Sequence, residues 1–210
     1  MSRAANCPAC GAPVTFAWSS AVQTACPFCK AVLVRHDVDL AKVGEVADLP
    51  PDSSPIQIMT EGVFDNRRFT VIGRIRYEWE QGNWNEWHLL FNDQTSGWLS
   101  DSQADYAVSF LTAAPVAFPA AGELPVGRVF QFGESQFQVT HLTQVRYVGF
   151  EGELPFTTTD QESFLSADLR TVDARFATID YSENPPLLFT GRFATFEELK
   201  LTNLREFEGW

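Results

Sequence analysis

Four cysteines fall into two pairs, Cys7-Pro-Ala-Cys10 and Cys26-Pro-Phe-Cys29, with 15 residues between the pairs. Two CxxC turns at that separation suit a tetrahedral four-thiolate zinc site, because each turn presents two sulfurs to one ion about 2.3 Å away. Pro8 and Pro27 set the backbone at the first turn position, and Gly11 after Cys10 can take the positive dihedral that aims amides at the sulfurs. Lys30 holds the equivalent place in the second turn, where a left-handed backbone is more costly. Two other chemistries use paired cysteines. Disulfides belong to oxidising compartments, and a thioredoxin-like redox pair needs a βαβ pattern that does not surround either pair. With Cys7, Cys10, Cys26 and Cys29 all bound, the shell is closed and no position is left for an activated water. The zinc is therefore expected to be structural.

A second group of side chains able to do chemistry lies in WEQGNWNEWHLLF, residues 79–91. Glu86 and His88 are two apart and would share one face of a strand, as an acid/base pair requires. If Gly82 centres the turn, Arg74, Arg76, Glu78 and Glu80 share that face with Trp84, Glu86 and His88. The opposite face then holds Phe69, Val71, Ile75, Tyr77 and Trp79 with Trp87, Leu89 and Phe91. On this register Arg76 faces Glu86 and His88 across the hairpin, a charge pair that accounts for these residues without catalysis. Trp84 beside Glu86 and Arg76 is then a candidate interaction surface, since tryptophan is enriched at binding hot spots. His36, His141 and Asp180 have no partners at a recognisable spacing. No glycine-rich phosphate loop, Gly-x-Ser-x-Gly elbow or His-Glu-x-x-His helix occurs in the chain.

The elements that must position these groups read as mainly β. Between the cysteine pairs, PVTFAWSS and AVQTA suggest a small hairpin, and AVLVRHDV a further strand, together a zinc ribbon over residues 1–40. So small a unit needs its metal to persist. Residues 41–58, rich in Pro, Ser and Asp, read as an exposed connector that leaves the ribbon separable. Residues 59–210 read as a duplicated antiparallel domain, barrel-like or sandwich-like, with one or two short helices. One unit covers 62–110, an uncharged Ala/Pro linker 111–122, and the second unit 127–205. Phe69 and Val71 line up with Phe137 and Val139, and Ile75-Arg76-Tyr77 with Val145-Arg146-Tyr147. Each unit is expected to close in a Ser/Thr-x-x-Gln/Glu capping box, at Ser100 to Gln103 and at Thr195 to Glu198. A Thr/Ser/Asp stretch over 154–174 reads as an insertion with weak periodicity.

Of the 210 residues, 45% are hydrophobic and 13% aromatic, enough for a real core. The net charge is −12; residues 1–40 hold three basic and two acidic side chains, and the rest 12 basic and 25 acidic. So acidic a surface repels phosphate backbones, and three basic residues make the ribbon a poor nucleic-acid binder. The opening residues carry no secretory signal, and no apolar run reaches the roughly 20 residues of a membrane span. A cytoplasmic location is expected.

GVFDNRRFTVIGRIRYEWEQGNWNEWHLLF, then GWLS, and FATIDYSENPPLLFTGRFATFEELKL resemble the bacterial domain-of-unknown-function family numbered 4178. Members of that family often carry an N-terminal zinc ribbon like CPACGAP…CPFCKA. The most specific string is Gly82, Trp84, Glu86 and Trp87. The resemblance implies no activity and no catalytic residues; it implies an accessory role in a polyamine-related or membrane-stress system. Lys30 departs from the glycine usual in such ribbons. Taken together, the expectation is a non-enzymatic zinc-ribbon adaptor acting on a protein partner. The alternative is a binder of small polyamine-like cations, or an enzyme, using the Trp84/Glu86 face, where a tryptophan beside carboxylates suits an amine.

Overall fold

The computed structural model describes residues 3–36, 39–45, 49, 53–158, 163–173 and 175–207; the side chains of Arg3, Ala4, His36 and Asp39 lie outside that description. The described residues form antiparallel strands with one four-residue α-helix and a 3-10 turn at Ala121–Glu123.

In the N-terminal part each CxxC turn is itself the tip of a hairpin. Strand β1 (Arg3–Asn6) pairs with β2 (Pro13–Phe16) across the first turn. Strand β3 (Gln23–Ala25) pairs with β4 (Ala31–His36) across the second, and β5 (Asp39–Glu45) adds to β4. The expected pairing of PVTF with AVQTA is thus replaced by two separate knuckle hairpins. The reason is local: Gly11 N–H bonds Cys7 O at 2.8 Å and Lys30 N–H bonds Cys26 O at 3.0 Å, so each knuckle folds its own strands back on each other. Gly11 (φ 75°) and Lys30 (φ 60°) both take the left-handed backbone that this turn demands.

The remaining strands form two meanders. The first contains β6 (Glu61–Phe64), β7 (Arg67–Trp79), β8 (Gly82–Phe91), β9 (Ser96–Ser102) and β10 (Asp105–Thr112). The second contains β11 (Val129–Phe132), β12 (Ser135–Leu154), β13 (Ser163–Arg170), β14 (Arg175–Asp180) and β15 (Leu187–Ala194). Each neighbour in sequence is a neighbour in the ladder, and β10–β15 and β7–β12 join the meanders at both sides. The ladder of eight strands, β7-β8-β9-β10-β15-β14-β13-β12, therefore returns to β7.

Each meander has its own apolar cluster. Phe69, Val71, Trp87, Leu89, Phe91, Leu99 and Val108 form one with Ile56. Phe137, Val139, Ala167, Leu169, Ala177, Ile179 and Leu188 form the other with Leu124. Phe69 and Val71 thus stand in the first cluster as Phe137 and Val139 stand in the second. The stretch read as an insertion supplies β13, whose Ala167 and Leu169 are fully buried; the adjacent, half-buried Phe164 and Leu165 break its alternation.

The helix α1 (Phe196–Leu199) follows Thr195, whose side chain accepts from Glu198 N while Glu198 reaches back to Thr195 N. The matching expectation at Ser100–Gln103 is corrected. Gln103 and Ala104 are left-handed (φ 54° and 70°) and make the tight turn between β9 and β10. Such a turn suits a hairpin and excludes a helix. The span 41–58 is likewise more structured than an exposed connector: residues 41–45 belong to β5, Ser54 is buried, and Ile56 is a core residue. The part of it at 46–48 and 50–52 lies outside the described residues.

Candidate functional site: the cysteine cluster and its support

The four thiols come together because the two knuckle hairpins pack face to face around Val14, Phe16, Ala21, Ala31 and Leu33. All four sulfurs lie within 4.8 Å of one another, a set able to hold a metal ion. The Cys7 and Cys29 sulfurs are 3.7 Å apart, and those of Cys10 and Cys26 are 3.8 Å apart. These separations are far longer than a disulfide's roughly 2.05 Å. They match the edge of a tetrahedron of sulfurs with arms of about 2.3 Å, which is about 3.8 Å. At Cys7 burial works upward on the thiol, but the backbone N–H groups of Cys10 and Ala9 outweigh it and bring it down to about 7. That favours the thiolate a metal needs at this one position. Cys29 moves the other way: against the lowering Ala31 N–H, burial and the thiols of Cys10, Cys26 and Cys7 push it up to about 12, so without an ion the cluster does not hold four thiolates at once.

The cysteine-bearing part is joined to the meanders along β3, which pairs with β12 through Thr24–Glu153 and Gln23–Leu154. The Glu153 carboxylate accepts from Ala17 N at 2.6 Å and Trp18 N at 3.0 Å. Ala25 and Val32 pack into a cluster with Ile75, Trp98, Phe150 and Leu154. No signal in the sequence pointed to Glu153, because its partners lie about 135 residues away in the chain.

The second group is split by the structure. The turn is centred between Glu80 and Gln81, so Trp79 pairs with Gly82, Tyr77 with Trp84, Ile75 with Glu86 and Arg76 with Asn85. This is an odd shift from a turn centred on Gly82, and an odd shift exchanges the faces. Arg76 therefore does not meet Glu86; its guanidinium donates to Asn83 Oδ1 at 3.0 Å, on the other side of the sheet. Trp79, expected in the core, is 39% exposed, while Trp87 is fully buried. A bulge between Val71 and Gly73 restores the expected face for Phe69 and Val71, which join Trp87, Leu89 and Phe91.

Glu86 accepts from Ser100 Oγ at 2.8 Å and from Trp84 Nε1 at 3.0 Å. Burial pushes its carboxyl up to about 7 against those two donors, and Asp168 and Asp180 add to the rise. Trp84 is half-buried against Tyr77, with ring centroids 5.4 Å apart. Asp180, isolated in sequence, is thus near Glu86 in space. His88 is fully buried and stacked on Trp98 at 4.9 Å, remote from acid/base work with Glu86. His141 is exposed, and the side chain of His36 lies outside the described residues. A cleft of about 320 Å³ beside the hairpin is lined by Ser54, Asn83, Asn85, Asp101, Gln103 and Tyr106 among others.

Among the described residues no helix is long and apolar enough to cross a membrane. The family model described as a domain of unknown function, DUF4178, matches residues 58–195. No curated protein and no solved structure matches the chain.

Proposed function

The chain belongs to the DUF4178 family, and from that premise we propose that it is a non-enzymatic adaptor in which a structural zinc holds a ribbon against the family domain. The observation that carries this reading is the set of four sulfurs within 4.8 Å. Bound to zinc, Cys7, Cys10, Cys26 and Cys29 would fill all four positions, and the ion would order the knuckles rather than polarise a substrate. The knuckles then serve as a platform. Phe28, at the tip of the second one, stands 67% exposed, the kind of rigid aromatic on which protein partners anchor.

The acidic remainder of the chain favours a partner with a basic patch over nucleic acid. Of the ribbon's basic residues, Arg35 donates to Ser19 O at 2.7 Å and lies over the Phe16 ring, which supports the same preference. A cytoplasmic setting, and an accessory role in a polyamine-related or membrane-stress system of the kind the family resemblance implies, complete the proposal. Crosslinking in lysate at physiological salt, with wild type and Phe28→Ser compared, tests the reading. Capture of one defined partner by the zinc-loaded wild type, lost in Phe28→Ser with zinc content unchanged, is expected. Equal capture by both, or none by either, contradicts it.

A second reading rests on Glu86, close enough to Asp168 and Asp180 for their charges to raise its pKa, with the Trp84 indole beside it. Three carboxylates beside an indole suit a small organic cation. Spermidine titrated against tryptophan fluorescence separates the two readings. A response equal to that of sodium chloride at matched ionic strength removes the second.

A further inference from the structure

Beside the apolar packing of Ala25 and Val32, the polar contacts between ribbon and meanders centre on Glu153 and His88. Glu153 is buried, and its two carboxylate oxygens are used up by the Ala17 and Trp18 amides. Its backbone carbonyl meets His88 Nδ1 at 2.8 Å. The edge of the His88 ring meets Trp18 of the ribbon, centroids 5.2 Å apart, and Trp98 stacks on it. His88 Nε2 is, among the described residues, the one buried side-chain nitrogen or oxygen without a hydrogen-bond partner. Around this pair Val22 N–H bonds Leu154 O, Thr24 Oγ1 bonds Gly152 O, and the Gln23 amide makes two bonds with Thr158.

Every ribbon group in that contact sits on chain that leaves one knuckle or enters the other. Ala17 and Trp18 follow β2, which leaves Cys10, and β3 runs directly into Cys26. The ribbon's own core has seven buried residues, of which Cys7 and Cys26 are two. So small a core does not hold its strands without the ion that joins the knuckles. When the strands lose their register, the Ala17 and Trp18 amides leave Glu153, and a buried carboxylate without its donors is strongly unfavourable.

We infer that metal occupancy and ribbon docking are a single coupled equilibrium, latched by Glu153 and the Trp18–His88–Trp98 stack. Metal loss undocks the ribbon and bares β12 from Gly152 to Leu154 together with His88 and Trp98. The inference rests on the zinc reading above. Coupling of this kind is reciprocal, so a change at Glu153 must alter the affinity of a site formed by cysteines far away in the chain. Glu153 is a positioning residue in this scheme; it touches no metal.

The test uses the full chain. Zinc stoichiometry is measured first, then zinc affinity by competition with a chromophoric chelator for wild type, Glu153→Ala and Glu153→Gln. Amide exchange is followed with and without metal. One zinc per chain is expected, with Glu153→Ala weaker by about tenfold and Glu153→Gln between the two, within the usual range of site coupling. Metal removal from wild type should speed exchange at residues 86–90 and 152–154 while 176–179 stay protected. Should Glu153→Ala fail to fold, the Glu153→Gln affinity and the wild-type exchange data decide alone. A chain that takes up no zinc fails the metal reading, and with it the latch, at the first step. A chain that takes up one zinc, with affinity within about twofold in every folded variant or exchange at 86–90 unchanged by metal, overturns the latch alone.

Discussion

Glu86 and His88 lie two residues apart on β8, and burial pushes both towards their neutral forms, Glu86 up to about 7 and His88 down to about 4. The consequences for stability have opposite signs. For Glu86 the folded pKa lies above its ordinary value, so its stabilising share is full below about 4.5 and is lost as pH rises through about 7. For His88 the folded pKa lies below its ordinary value, so the unfolded chain binds the extra proton and stability falls as pH drops from about 6.5 towards 4. The wild type should therefore show a shallow profile between these limits. Glu86→Gln keeps an acceptor for Ser100 and Trp84 and removes the ionisation cost. The variant should equal wild type near pH 4 and exceed it by about 1–2 kcal/mol at pH 8, a value reduced for partial exposure. Denaturant melts across that range check it, and a constant difference at all pH values would contradict the assignment. At this scale the cysteines were legible because ligand spacing is local. The Arg76–Glu86 pair was misread because it depended on whether the turn centre lay on Gly82 or one and a half residues earlier, which no local signal sets.

The elements meet at places where a side chain cannot fit. At the crossing of β7 and β12, a Cβ on Gly152 would lie 2.2 Å from Ile72 O, and its φ is 69°; a Cβ on Gly73 would lie 2.1 Å from Glu153 O. Gly152→Ala should therefore cost about 2 kcal/mol or more, through clash and strained backbone together. Gly44→Ala on β5 meets nothing within 4 Å and should change stability by no more than about 0.5 kcal/mol. Thermal melts of the two variants test the β7–β12 junction, and equal losses would argue against it. The strands of the first meander could be read from alternation and the Thr195 capping box from its spacing. β13 could not, because Phe164 and Leu165 are adjacent and both half-buried, which leaves only Ala167 and Leu169 to carry the alternation. The knuckle hairpins were missed because strands of three and four residues carry almost no periodicity, and the turn hydrogen bonds decide their pairing.

Across the whole molecule the sheet is held together by contacts between distant parts of the sequence, and these were the least legible. β10–β15 and β7–β12 join the meanders, and Glu153 joins them to the ribbon over a separation of 136 residues. A chain read as a ribbon on a tether is a ribbon docked by a strand pairing, a buried carboxylate and an aromatic stack. That arrangement gives the proposed zinc a role beyond its own knuckles and makes the cysteine cluster the point on which the account depends. X-ray absorption at the zinc edge on the purified, zinc-loaded full chain tests this most directly. Four sulfur ligands at about 2.3 Å and none of nitrogen or oxygen, at one ion per chain, is the predicted result. A mixed shell containing nitrogen or oxygen, or a chain that retains no zinc while its cysteines are reduced, would contradict it.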